Sequence, residues 1–135
     1  MKLQTPTILI VDDEVGIRVL VERVFQRAGY VTAVASDGPD ALRVASTLRS
    51  LDLLVTDMMM PEMTGDELAR RLRQSYRDLK VLYFTGYGDQ LFEEKCTMWK
   101  GEAFLEKPCG PKGLLEAVSL LKNDNRCIQG NQAGQ

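Results

Sequence analysis

The chain alternates. Short apolar runs rich in β-branched residues take turns with stretches whose apolar residues fall at helical spacing, and the cycle repeats five times. Thr7 to Val11 reads as a strand buried on both faces. Val15, Val19, Val21, Val24 and Phe25 follow at roughly helical spacing among Arg18, Glu22 and Arg23, with Gly29 as a C-terminal cap. Tyr30 to Ala35 reads as a second strand, and Asp37-Gly38-Pro39 opens a helix that turns Ala41, Leu42, Ala45 and Leu48 inward. Leu53 to Thr56 is a third strand, stopped at Asp57 and followed, after Pro61 and Gly65, by a helix with Leu68, Ala69 and Leu72 as its apolar stripe. Lys80 to Phe84 is a fourth strand, Asp89 to about Lys100 a helix, Ala103 to Leu105 a short fifth strand, and Gly113 to Lys122 a last amphipathic helix. Strands joined by helical crossovers pair in parallel, so the pattern predicts an α/β domain. The 135 residues suffice for one domain, expected over residues 1–122, with a polar, frayed tail over 123–135.

Composition then removes whole classes of function. Without a single histidine, Ser-His-Asp and Cys-His nucleophile pairs, His-ligated zinc and imidazole acid–base catalysis are excluded. Cys96, Cys109 and Cys127 form no C-x-x-C pair, and an odd count makes a poor disulfide framework, which suits a reducing, cytoplasmic setting. Lys and Arg number 17 against 19 Asp and Glu, a net charge of −2 that argues against nucleic acid or a membrane as partner. Ile8-Leu9-Ile10-Val11 and Val81-Leu82-Tyr83-Phe84 fall far short of the ~20 apolar residues of a membrane span, and the N-terminus does not read as a signal peptide.

In an open α/β sheet, ligands bind beyond the carboxyl ends of the strands. After the first strand come Asp12-Asp13-Glu14, after the third Asp57, after the fourth Thr85 and Gly86, and after the fifth Lys107-Pro108. Each has an ordinary reading by itself: Asp12-Asp13 as a solvated helix start, Asp57 as a turn residue, Thr85 as a strand end, Lys107 as a surface lysine. The Met58-Met59-Met60 run reads as packing rather than a sulfur ligand set. The ordinary readings fail jointly, because all the groups land on one edge of one sheet. Three carboxylates there repel unless a positive group sits among them, and magnesium, with its preference for one or two carboxylates, water and a phosphate oxygen, meets that need. The set describes phosphoryl transfer to a carboxylate. Asp57 is the nucleophile, Asp12 and Asp13 hold the cation, and Lys107 and the Thr85 hydroxyl take the remaining phosphoryl oxygens. Gly86 is expected to keep the backbone small where the phosphoryl group fits.

Over residues 7–122 the chain resembles the receiver domain of two-component response regulators. The resemblance rests on Ile8-Leu9-Ile10-Val11-Asp12-Asp13-Glu14, on Leu54-Val55-Thr56-Asp57 through Pro61 to Gly65, on Val81-Leu82-Tyr83-Phe84-Thr85-Gly86-Tyr87, and on Phe104-Leu105-Glu106-Lys107-Pro108. It implies a doubly wound, flavodoxin-like parallel sheet of five strands in the order 2-1-3-4-5. It also implies that Asp57 accepts a phosphoryl group from the phosphohistidine of a histidine kinase or phosphotransfer protein. Magnesium is then held by Asp13 and Asp57 directly, by Asp12 through water and by the Met59 backbone carbonyl. Thr85 and Phe104 become a switch pair, and Lys107-Pro108 a cis peptide. The signal is expected to leave through the face made by the 89–100 helix, the fifth strand and the last helix, near Phe92, Met98 and Trp99, toward a downstream effector or a second receiver copy. Such a domain catalyses only its own phosphoryl transfer and autodephosphorylation.

Three departures from the family pattern stand out. Phe104 lacks the hydroxyl many relatives carry there, Cys109 replaces a frequent aromatic and is expected to loosen packing under the last helix, and the glycine ending the 89–100 helix comes one place late, as Gly101. Competing readings fare worse. A nucleotide- or flavin-binding domain needs a glycine-rich loop where Asp12-Asp13-Glu14 stand. A haloacid-dehalogenase-type phosphatase needs a second Asp where Met59 stands. A pseudo-receiver acting only as an interaction module would have lost pocket residues that are all present.

Overall fold

The structure, a computed structural model, describes residues 5–86, 101–107, 109–123 and 128–129. In chain order these form β1 (Thr7–Val11), α1 (Val15–Arg27), β2 (Val31–Ala35), α2 (Gly38–Ala45), β3 (Leu53–Thr56), α3 (Gly65–Leu72), β4 (Lys80–Thr85), β5 (Glu102–Glu106), α4 (Pro111–Asn123) and β6 (Ile128–Gln129). The helix expected over 89–100, with Phe92, Met98 and Trp99, lies outside the described residues, as does Pro108 of the expected cis peptide. Among the described residues no helix is long and apolar enough to cross a membrane.

All strand pairings are parallel, in the order β2-β1-β3-β4-β5-β6. The five-strand order expected from the family resemblance is therefore present, and a sixth strand is added to it. That addition corrects the reading of residues 123–135 as a uniformly frayed tail: Ile128 and Gln129 pair with Ala103 and Phe104. Without them β5 would present a row of unpaired N–H and C=O groups, and a helical crossover through α4 brings the chain back in the parallel sense.

Because both sheet faces are covered, successive strand residues enter different cores. Leu9, Val11, Leu54, Val81, Tyr83 and Phe104 pack with Ala41, Ala45, Leu68 and Leu72 of α2 and α3. Ile8, Ile10, Leu53, Val55, Leu82, Phe84, Ala103 and Leu105 pack with Phe25 of α1 and Leu114, Val118 and Leu121 of α4. Cys109 packs against this second core, and a Cβ at Gly113 would overlap its sulfur, so the two small residues fit each other. In α1 the inward side is Val21, Val24 and Phe25, whereas Val15 and Val19 are 62% and 44% exposed. The valines at 19 and 21 lie about 200° apart around a helix, so one stripe cannot hold both.

The helix ends follow their residues. The Asp37 side chain accepts from Asp40 N–H at 2.9 Å and Thr64 from Glu67 N–H at 3.2 Å, both as N-caps. Gly29 closes α1 with φ of 96°. The late glycine, Gly101, itself takes the left-handed conformation, φ 76°, leading into β5.

Candidate functional site

Backbone pairing carries the acids just past the sheet. Asp12 N–H donates to the Ala35 carbonyl at 3.3 Å and Asp57 N–H to the Val11 carbonyl at 3.1 Å, so β1 and β3 each gain one further rung beyond the strand itself. Asp12 and Asp57 are buried and Asp13 is exposed. Carboxylate oxygens of all three lie within 4.8 Å of one another. At the end of β5, Lys107 N–H donates to the Thr85 carbonyl at 2.8 Å. This aims its ammonium into the pocket, 2.9 Å from Asp12 Oδ2, 3.2 Å from Asp57 Oδ2 and 3.4 Å from Glu14 Oε1. Lys107 is thus an inward cation, and the ordinary reading of it as a surface lysine does not hold.

Several contacts stiffen this arrangement. Asp12 Oδ1 accepts from Glu14 N–H at 2.9 Å, and Arg18 donates to the Asp12 carbonyl at 2.7 Å. Met59 N–H approaches Asp57 Oδ1 at 3.4 Å. The Gly65 N–H donates to the Met58 carbonyl at 2.8 Å, and a Cβ on Gly65 would overlap the Asp57 carbonyl oxygen. Glu62, between Asp57 and α3, adopts φ of 70°, a left-handed turn that returns the chain toward the sheet. Thr85 is fully buried at the end of β4, and Phe104 is buried on β5 opposite Tyr83.

Electrostatics agree with the geometry. Burial pushes the Asp12 carboxyl above its ordinary value, against the opposing pull of the Lys107 and Glu14 hydrogen bonds. Burial also works against the Lys107 charge, but the Asp12 hydrogen bond and the Asp57 and Asp12 charges outweigh it and raise its pKa. The lysine is therefore a cation at neutral pH. Sequence reasoning gave the task of relieving carboxylate repulsion to a metal alone; the chain supplies part of that relief itself through Lys107.

The acids also suit a hard divalent cation. Their donors are oxygens, and Asp13 opens the cluster to solvent, as a magnesium ion that keeps several waters requires. Met58 belongs to the core and Met59 is 40% exposed, in keeping with packing and loop roles for the methionine run. The structure thus brings together Asp12, Asp13, Asp57 and Lys107, with the Met59 peptide beside Asp57. Thr85 stands behind them on β4 and receives the Lys107 N–H. Among the described residues a Cβ on Gly86 meets nothing within 4 Å, whereas the glycine crowded against the phosphoacceptor's own backbone is Gly65. Gly65 stood in the sequence reading as a helix boundary and the end of a family motif, with no packing role against Asp57, and Glu14 and Arg18 were given no part in the pocket. Their signals were the acidic run at 12–14 and an Arg one turn into the helix beyond it.

A doubly wound sheet with an acid cluster and an inward lysine at its carboxyl edge defines a receiver-type domain. The chain belongs to the response regulator receiver domain family, whose model matches residues 8–119. It is 34% identical over 116 residues, 85% of its length, to the sensor kinase CckA of Brucella abortus, and that match covers 12% of the kinase. It is 40% identical over 82 residues, 61% of its length, to sporulation initiation phosphotransferase F of Bacillus subtilis, covering 65% of that protein. The chain thus spans under two thirds of the length of these relatives. Among solved structures, the response regulator protein TrrA of Thermotoga maritima in complex with Mg2+-BeF superposes with a TM-score of 0.73 at 31% identity, over 87% of this chain and 99% of that one.

Proposed function

We propose that this chain is the phosphoacceptor of a two-component phosphorelay, taking a phosphoryl group onto Asp57 from the phosphohistidine of a histidine kinase or phosphotransfer protein. The observation that carries this reading is the partly buried Lys107 ammonium within hydrogen-bonding reach of the buried Asp57 and Asp12. An Asp57 carboxylate oxygen attacks phosphorus as the P–N bond to the donor imidazole breaks, and the leaving nitrogen keeps the electron pair. Lys107 then shifts from the carboxylates to a phosphoryl oxygen as a charge-assisted donor, and the Thr85 hydroxyl takes another. Asp13 and Asp57 directly, Asp12 through water and the Met59 carbonyl would hold a magnesium ion, which would supply further neutralisation of the phosphoryl oxygens. The absence of histidine from the chain fits an imidazole supplied by the partner.

Signal output runs from Thr85 to Phe104, whose ring is already turned inward. The face beyond β5 and α4 then binds a downstream effector or a second receiver copy. A pseudo-receiver acting only as a protein-interaction module is not favoured, a judgement supported by the convergence of Asp12, Asp13, Asp57 and Lys107. The test is intact-mass measurement after incubation with acetyl phosphate and magnesium. One phosphoryl group is expected on the wild type, and none on Asp57→Asn or in the presence of EDTA. Labelling of Asp57→Asn at the wild-type level overturns the assignment.

A further inference from the structure

At the opposite end of β5 from Lys107 lies a second buried ion pair. Glu102, the first residue of β5, is fully buried, and its Oε2 accepts from Arg73 Nη1 at 2.8 Å. The same Arg73, at the C-cap of α3, donates through Nε and Nη2 to the Leu79 carbonyl at 3.3 and 3.2 Å. The hydroxyl of fully buried Tyr83, on β4, reaches Glu102 Oε2 at 3.1 Å and Asp66 Oδ1 at 3.4 Å. Burial, with the Glu102 and Asp66 charges beside it, holds the phenol far above its ordinary pKa, so the hydroxyl remains a donor. One carboxylate therefore joins the end of α3, the segment leading into β4, β4 itself and the start of β5.

A charge in the interior needs a reason, because well-packed apolar residues of similar volume often do as well or better for stability. The sequence of β5 suggests what that reason is. Ala103 and Leu105 enter one core and Phe104 the other, so both faces are apolar and hydrophobic pattern alone specifies register poorly. A slip of one residue moves the strand by about 3.3 Å. It would strand Glu102 without its fork of donors and draw Lys107 out of reach of Asp57. Lys107 directly follows β5, and its N–H is bonded to Thr85.

We propose that Glu102, through Arg73 and Tyr83, is a positioning residue that fixes the placement of β5 along its axis and thereby sets the Lys107 ammonium at the phosphoryl site. The inference rests on the reading of Lys107 as the phosphoryl-binding cation, and the experiment separates the two. In Glu102→Gln, amide exchange at Lys107 should accelerate roughly tenfold or more relative to the amides of β1, and phosphorylation by acetyl phosphate at saturating magnesium should slow by a similar factor. Magnesium affinity should stay within about twofold, because its carboxylate ligands follow β1 and β3 and not β5. The double variant Glu102→Gln/Lys107→Ala should be no slower than Lys107→Ala, since both act through one ammonium. Arg73→Lys should restore part of what Arg73→Gln loses.

Unchanged exchange at Lys107 overturns the proposal, and so does exchange that rises equally over the whole sheet, the mark of lost stability alone. Multiplying rate losses in the double variant overturn it too. Should Lys107→Ala phosphorylate at the wild-type rate, the phosphotransfer reading falls, and the exchange result alone decides for or against the anchor. If Glu102→Gln fails to fold, Tyr83→Phe removes one hydroxyl with the ring kept, and the same exchange measurement decides.

Discussion

The two ends of β5 are each closed by buried charge, and they are built differently. Lys107 meets three carboxylates at 2.9, 3.2 and 3.4 Å, each from a different residue and none as a fork. Glu102 meets a guanidinium that is itself fixed by two further hydrogen bonds to the Leu79 carbonyl. A point charge on a flexible stem with several acceptors can be drawn to a new anion at little cost, whereas a planar fork with defined directions holds one geometry. The comparison teaches that burial and distance do not separate a reacting charge from a fixing one. The number of alternative partners and the rigidity of the group do.

The two ends should therefore fail in different ways. Arg73→Met removes the Arg73 guanidinium from the buried Glu102 carboxylate and should cost about 3 kcal/mol of stability, the low end for such losses because Arg73 is partly exposed. Lys107→Ala should instead slow phosphorylation about 10- to 100-fold, the equivalent of a charge-assisted hydrogen bond of roughly 1.5–3 kcal/mol made in the transition state. Denaturant melts and single-turnover labelling of both variants give the two columns. A Lys107→Ala protein that loses stability as heavily as Arg73→Met, with phosphorylation intact, would erase the distinction.

The pocket end was far easier to read in the sequence. Strand bounds at Thr7–Val11 and Leu53–Thr56 fall where the β-branched runs do, so a census of the residues just past each strand finds Asp12, Asp13 and Asp57 directly. The inward aim of Lys107 depends on contacts 95 and 50 residues away in the chain; the strand-end census put it at the same edge, but its ion pairs with Asp12 and Asp57 have no local signal. The Arg73–Glu102 pair left no local mark. Its members are 29 residues apart, on a helix end and a strand start, where charged residues are ordinarily solvated. For β6 the reason is different: two residues in a polar tail carry no periodicity, and what recruits them is the open edge of β5. The apolar spacing of α1 marked a helix without saying which stripe faces the sheet, and Val15 and Val19 lie on the exposed side.

Crowding offers a third way to probe the pocket end. Gly65→Ala sets a methyl group against the Asp57 carbonyl oxygen, a backbone atom that cannot move without moving the phosphoacceptor. Overpacking of this kind should cost about 1–3 kcal/mol and slow phosphorylation as well. Gly86→Ala, whose Cβ meets nothing within 4 Å among the described residues, should melt close to wild type and serves as the control. Equal losses in the two variants would mean that glycine flexibility, and not the close approach to Asp57, is what matters here.

The smallest expected effect gives the strictest control on the comparison. Arg71 and Glu67 on α3 form an ion pair of 2.7 Å, marginally shorter than the 2.8 Å between Arg73 and Glu102. Their side chains are 50% and 36% exposed, against 22% and 0% for the buried pair. Water screens the exposed charges, and holding two long side chains together costs rotamer entropy, so Arg71→Gln should lose only about 0.3–0.5 kcal/mol. That loss should shrink further at molar salt, where the Debye length falls to about 3 Å. The Arg73→Met loss should persist under the same conditions, because the pair is largely buried and poorly reached by counter-ions, and the Glu102 carboxylate stays in the interior. Denaturant melts of both variants at low and high salt decide the matter. If the two losses match in size and in salt dependence, the Glu102 end of β5 is an ordinary surface contact and cannot fix the strand.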